Sequence, residues 1–229
     1  MLADKRILLI IGGGIAAFKA LDLIRRLRER GANVTPVLTK AGGEFVTPLS
    51  VSALAGEKIY QDLFDLTAEA EMGHIELSRA ADLIVVAPAT ADLLAKMAAG
   101  LANDLASTLL LATDKRVLAA PSMNVRMWDH PATQRNLAQL TADGVLFVGP
   151  GEGDMARGEY GPRSLAEPLD IVVAVDAGLA AAPHKDKPGF GTSCPTQHPL
   201  APLPYTAQPR TAAPGHTRSR ARPTPLVAL

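Results

Sequence analysis

Four short segments of this 229-residue chain carry side chains fit for chemistry: Gly12-Gly13-Gly14-Ile15, Gly73-His74-Ile75-Glu76, Ala87-Pro88-Ala89-Thr90 and Pro121-Ser122-Met123-Asn124. Imidazole titrates near neutrality without help, so His74 can take a proton from a thiol or a carboxyl. Taken alone, a histidine opening a short helix serves equally well as a cap or a surface residue. The three glycines let backbone N–H groups approach a phosphate, and a helix start behind them adds favourable partial charge. A tight turn with no ligand is the alternative. Small residues at Pro88, Ala89 and Thr90 allow a flat ring to lie close to the backbone, although Thr90 or Asp92 would also cap a helix. Asn124 can donate to a carboxylate and Met123 can pack against a ring; a simple turn with a buried methionine is the bland version.

Each segment sits where a strand hands over to a loop or helix. Ile7–Ile11 is continuous, apolar and β-branched, and reads as a buried parallel strand. A helix over Ile15–Arg30 follows, with Phe18, Leu21, Ile24 and Leu27 inward, Lys19, Arg25, Arg26 and Arg28 outward, and Gly31 as its C-terminal stop. Further strands are expected over Asn33–Leu38, Asp82–Ala87, Arg116–Ala120 and Val145–Val148. Helices are expected over His74–Arg79, Asp92–Ala99, Asp104–Ala112, Ala132–Leu140 and Pro168–Ala181. Strands alternating with helices imply an α/β fold, a Rossmann-like (flavodoxin-like) parallel sheet with helices on both faces. Ligands of such sheets bind at the carboxyl edge, where all four segments fall.

Gly12-x-Gly14-x-x-Ala17 also fits a dinucleotide fingerprint. A dinucleotide site wants an acid at the end of the second strand, and the chain has Val37-Leu38-Thr39-Lys40 there. A hydroxyl and an amine suit a mononucleotide phosphate better. Asp129-His130-Pro131 has no partner at metal-ligand spacing, which leaves no metal site. No serine sits in a nucleophile elbow.

Formal net charge is zero, so nothing in the balance calls for nucleic acid or a membrane surface. No apolar run is long enough to span a membrane. The single cysteine, Cys194, rules out an internal disulfide and fits a reducing cytoplasm. Composition breaks near Pro183. From Pro183 onwards the chain carries ten of its 18 prolines, with six Lys or Arg against Asp186 alone. The chain is therefore expected to comprise one domain over residues 1–182 and a disordered Pro/Arg-rich tail over 183–229.

In order and spacing, the segments over about residues 5–180 resemble the flavin-dependent cysteine decarboxylases, most closely the phosphopantothenoylcysteine decarboxylase domain of coenzyme A biosynthesis. The resemblance implies FMN as cofactor and a trimer-based homo-oligomer with sites at subunit boundaries. It implies that Gly13, Gly14, Ile15 and Thr39 hold the FMN phosphate, and that Pro88, Ala89, Thr90 and Met123 line the isoalloxazine. His74 would be the base that assists oxidation of the cysteinyl thiol of 4′-phosphopantothenoylcysteine. The thioaldehyde so formed is an electron sink for loss of carbon dioxide, and Asn124 would bind the departing carboxylate. The Gly-rich segment 151–163 would be a flap over the substrate.

Two positions depart from the family. Its flap reads Ala-Cys-Gly, whereas this chain has Ala156-Arg157-Gly158; arginine is too weak an acid at neutral pH to replace a protonating cysteine. Its first turn reads Gly-Val-Thr-Gly before the helix, where this chain has Ile10-Ile11-Gly12-Gly13 and so lacks that hydroxyl ligand for FMN. Thr192–Ala207 resembles the opening of the phosphopantothenate–cysteine ligase domain, so the tail is expected to be the remnant of a truncated or frameshifted fusion. The resulting expectation is an FMN-dependent carboxy-lyase acting on 4′-phosphopantothenoylcysteine, with its final reduction impaired at Arg157. The alternatives are a peptidyl-cysteine decarboxylase that stops at the ene-thiol and a non-catalytic FMN-binding scaffold.

Overall fold

Arg6–Ile11 (β1) is an interior strand of a five-stranded parallel sheet in the computed structural model, which describes residues 2–63, 70–154 and 160–180, all within the unit Met1–Lys187. A 3-10 turn, Ile15–Ala17, leads into α1 (Phe18–Glu29) and β2 (Asn33–Leu38). There follow α2 (Lys40–Gly43), α3 (Pro48–Ala55), α4 (Ala70–Ala80), β3 (Leu83–Ala89), α5 (Ala91–Ala99) and α6 (Leu105–Ala112). The remainder is β4 (Val117–Pro121), α7 (Val125–Trp128), α8 (Pro131–Ala142), β5 (Leu146–Phe147), the antiparallel pair β6 (Gly151–Asp154) and β7 (Tyr160–Ser164), and α9 (Pro168–Ala180).

The sheet order β2-β1-β3-β4-β5 is that of a flavodoxin-like fold, and its topological switch point lies between β1 and β3. Why β1 is apolar at every inner position follows from its register. Ile7, Leu9 and Ile11 pack with Leu23, Leu27, Ile171 and Val175 on one face. Leu8 and Ile10 pack with Leu94, Leu105 and Leu109 on the other. Side chains of a strand alternate between faces, so a sheet covered twice needs apolar residues throughout. One outer edge is closed as well. The Leu38 N–H donates to the Tyr60 carbonyl (2.8 Å) and the Tyr60 N–H to that of Pro36 (3.1 Å), laying Tyr60 along β2.

Several expectations need correcting. The first helix opens as a 3-10 turn, and its buried face is Ala20, Leu23, Ile24 and Leu27, while Phe18 is 56% exposed. The carboxyl edge, where Phe18 stands, lies beyond the sheet that covers the rest of the helix. Lys19 does not face outward; its side chain is only 19% exposed. His74 does not open its helix but lies in the second turn, because Ala70, Glu71 and Met72 are good helix formers. Gly31, at φ +85°, ends α1 as expected. Helices α2, α3 and α7 and the β6–β7 hairpin are additional to the elements read from the sequence. The tail over 183–229, Cys194 and Arg157 lie outside the described residues.

Candidate functional site at the carboxyl edge of the sheet

The glycine turn is shaped by two different demands. A Cβ on Gly12 would stand 2.2 Å from the Pro88 carbonyl oxygen, so in this chain glycine lets the ends of β1 and β3 meet closely. Gly14 adopts φ +103° and ψ 159°, which an L side chain rarely tolerates, yet a Cβ there would meet nothing within 4 Å. The turn therefore has a face open to a ligand. The Ala17 N–H donates to the Gly14 carbonyl (3.0 Å), while the N–H groups of Ile15 and Ala16, at the helix start, have no intrahelical acceptor. Gly13 lies against Ala41 of α2. An open backbone turn with free donors suits a phosphate.

Thr39, the last residue before α2, closes the neighbouring side. Its hydroxyl donates to the Ile11 carbonyl (2.9 Å) and accepts from the Gly42 N–H (3.0 Å). It thus braces the ends of β1 and β2, and reaching a phosphate oxygen requires its hydrogen to turn away from Ile11.

At β3 the pairing with β4 slips by one residue between Val86 and Ala89. This irregularity at Ala87-Pro88 turns the Pro88 carbonyl towards Gly12. Pro88 and Ala89 are buried, and the Ser122 N–H donates to the Ala89 carbonyl (3.1 Å), tying the β3 and β4 ends together. Thr90 caps α5, its hydroxyl accepting from the Leu93 N–H (3.2 Å).

Met123 is half-buried against the core. Asn124 is exposed and caps α7: its Oδ1 accepts from the Arg126 N–H (2.8 Å). That bond fixes the side chain and leaves the amide N–H groups as donors at the same edge, the right polarity for a carboxylate. His130 caps α8, with Nδ1 accepting from the Ala132 N–H (3.1 Å).

Topology sets the His74 backbone towards this edge. Only Ala81 and Asp82 separate α4 from β3, so α4 runs antiparallel to the strands with its first turn at their carboxyl ends. His74 lies four residues from that end, roughly 6 Å along the axis.

A polar staple missed in the sequence holds the helices below. Asp104 caps α6 in a capping box with Ser107, and the Lys96 Nζ on α5 lies 2.7 Å from Asp104 and 3.2 Å from Asp92. The Asp-x-x-Ser spacing was the available signal. Burial pushes the Asp104 carboxyl up, but Lys96 and the Ser107 donors outweigh it, leaving it below the usual value. A depressed carboxylate stabilises above its unfolded pKa, and that contribution is lost as pH falls through its folded value. Asp104→Ala is expected to cost about 1–2 kcal/mol at neutral pH. Thermal melts should show this gap narrowing at acid pH; a gap independent of pH would refute the charge contribution.

The family described as Flavoprotein matches residues 1–180. The chain belongs to the flavoprotein family. Among relatives of this flavoprotein, the coenzyme A biosynthesis bifunctional protein CoaBC of Vibrio vulnificus (strain YJ016) is 46% identical over 220 residues, covering 96% of the chain and 55% of that protein. The chain spans about half the length of the curated relatives it matches. A cysteine-to-serine mutant of PPC decarboxylase, solved with pantothenoylaminoethenethiol, superposes with a TM-score of 0.68 at 34% identity, covering 76% of this flavoprotein and 97% of its own chain. The FMN-dependent cysteine decarboxylase SpaF superposes at 0.66 with 30% identity, covering 78% and 97%.

Proposed function

We infer that this flavoprotein is an FMN-dependent cysteine decarboxylase of coenzyme A biosynthesis, acting on 4′-phosphopantothenoylcysteine. The observation that carries the reading is Asn124, whose cap bond to Arg126 leaves an amide donor fixed at the edge that also holds the open Gly14 turn. Likeness to CoaBC and to a PPC decarboxylase complexed with pantothenoylaminoethenethiol supports the substrate class.

In this reading Gly13, Gly14 and Ile15 hold the FMN phosphate through backbone N–H groups, with the Thr39 hydroxyl turned towards it. Pro88, Ala89, Thr90 and Met123 line the flat ring. FMN, when bound, supplies a two-electron acceptor for the substrate thiol. His74 removes the thiol proton, and Asn124 holds the carboxylate until carbon dioxide leaves. The apolar side chains of Ile15, Phe18, Phe45 and Leu49, all about half or more exposed, provide surface for a trimer-based homo-oligomer.

Arg157 stands where the family has its protonating cysteine, and we propose that turnover therefore slows at the ene-thiol. Mass spectrometry of products from FMN-loaded protein and 4′-phosphopantothenoylcysteine tests both parts. Loss of carbon dioxide is expected, with the ene-thiol predominating; bound flavin without such loss would favour a non-catalytic scaffold. Arg157→Cys is expected to raise the fully reduced thiol product at least about tenfold, since a general acid contributes that much or more. Normal formation of that product by the unaltered chain would sink the role given to Arg157.

A further inference from the structure

Lys19 stands on the second residue of α1, five positions after Gly14, where helical spacing alone would put it in solvent. Instead its Nζ lies 2.8 Å from Glu167 Oε1 and 3.2 Å from the Leu165 carbonyl. Its side chain is 19% exposed against 68% for Glu167, so the ammonium is tucked under the strap and not merely paired at the surface. The strap itself is buried, with Leu165 at 1% and Ala166 at 4%.

That strap is one foot of the β6–β7 hairpin, running directly from Ser164 into α9. The other foot is Gly149-Pro150, and a Cβ on Gly149 would stand 3.1 Å from the Ala166 Cβ, so the two feet touch. The hairpin follows the carboxyl end of β5, and β7 runs beside α7, the helix that Asn124 caps. One side chain thus joins the helix that issues from the glycine turn to the base of the hairpin on the opposite side of the site.

The geometry points to Lys19 as a positioning residue: it pins the foot of the β6–β7 hairpin to α1 and so keeps the hairpin in register with the glycine turn and Asn124. Its two polar contacts are both to the strap, so it acts through the hairpin. A methionine keeps most of the stem but neither donor; an arginine keeps charge and donors. The assignment of a substrate to this edge rests on the function proposed above, whereas the anchor does not.

The test combines hydrogen exchange with kinetics on the full chain loaded with FMN. In Lys19→Met, amides of Gly151–Asp154 and Tyr160–Ser164 are expected to exchange about tenfold faster, with β1–β4 unchanged, as for loss of a charge-assisted bond that restrains one local unit. Flavin content is expected to stay at the wild-type level. KM for 4′-phosphopantothenoylcysteine is expected to rise about tenfold with kcat within about twofold. Lys19→Arg is expected to restore both. Glu167→Gln, which keeps the Leu165 contact, should give a smaller change in the same direction, and it serves if Lys19→Met does not fold. Unchanged hairpin exchange in Lys19→Met, or in Glu167→Gln if only that variant folds, would overturn the anchor. Faster exchange with unchanged KM in an active enzyme would overturn the positioning role. If the unaltered chain releases no carbon dioxide, the functional reading fails, and exchange alone decides whether Lys19 pins the hairpin.

Discussion

His74→Asn is expected to abolish release of carbon dioxide from 4′-phosphopantothenoylcysteine while leaving the flavin bound. Asparagine keeps a polar side chain of similar reach but cannot accept a proton near neutrality. General base catalysis contributes on the order of a hundred- to ten-thousand-fold, and that is the expected loss of rate. His74 lies on α4, whereas the glycine turn and the ends of β2 and β3 are separate elements, so cofactor retention should not follow activity. Absorbance of the purified variant reads the flavin, and trapped carbon dioxide reads turnover. Wild-type turnover would remove His74 from the reaction. Simultaneous loss of flavin and activity would mean that α4 shapes the cofactor pocket and would leave no case for a separate base.

Gly12→Ala should have the largest effect on the fold. The added carbon would meet the Pro88 carbonyl oxygen at 2.2 Å and the Leu93 Cδ1 at 3.0 Å. Neither a backbone carbonyl at a strand end nor a core leucine can move away freely in a close-packed interior. Separating β1 from β3 there is expected to cost about 3 kcal/mol or more. For a domain of this size that lowers Tm by roughly 6–12 °C. Because the strain lands at the switch point, flavin should be lost as well. A variant that melts with the wild type and stays yellow would show that β1 and β3 do not meet in this way.

Strand β1 was legible because Ile7–Ile11 is an unbroken apolar run that ends at a glycine, and Asn33–Leu38 because Val34, Thr35 and Val37 are β-branched and follow the Gly31 stop of α1. Helix α1 was legible, but its inner face was not. Phe18 fits the apolar spacing, yet it stands beyond the cover of the sheet and is exposed. Helix α3 was missed because Pro48–Ala55 has no charged residue to contrast with an apolar face. Its end signals were present in the sequence: the Thr47 hydroxyl accepts from the Ser50 N–H, Pro48 opens the helix, and Gly56 closes it at φ +66°. Of the site, the residue types and their place at strand ends could be read in advance. The slip at Ala87-Pro88, the Thr39 brace and the Lys19 contact could not, since each joins segments far apart in the chain whose distances only the packed sheet determines.

The strip of chain at Tyr60 has a wider consequence. A growing fibril recruits strands through unsatisfied amides along a sheet margin. Here one margin is already occupied by Tyr60, on a strand whose Pro36 has no amide hydrogen to offer, and the opposite margin is a strand of two residues, Leu146–Phe147. Neither side gives an incoming strand a long template. Association between copies through the edges of this five-stranded sheet is thereby disfavoured, and the sheet is protected from the open-ended growth that concentrated parallel sheets invite.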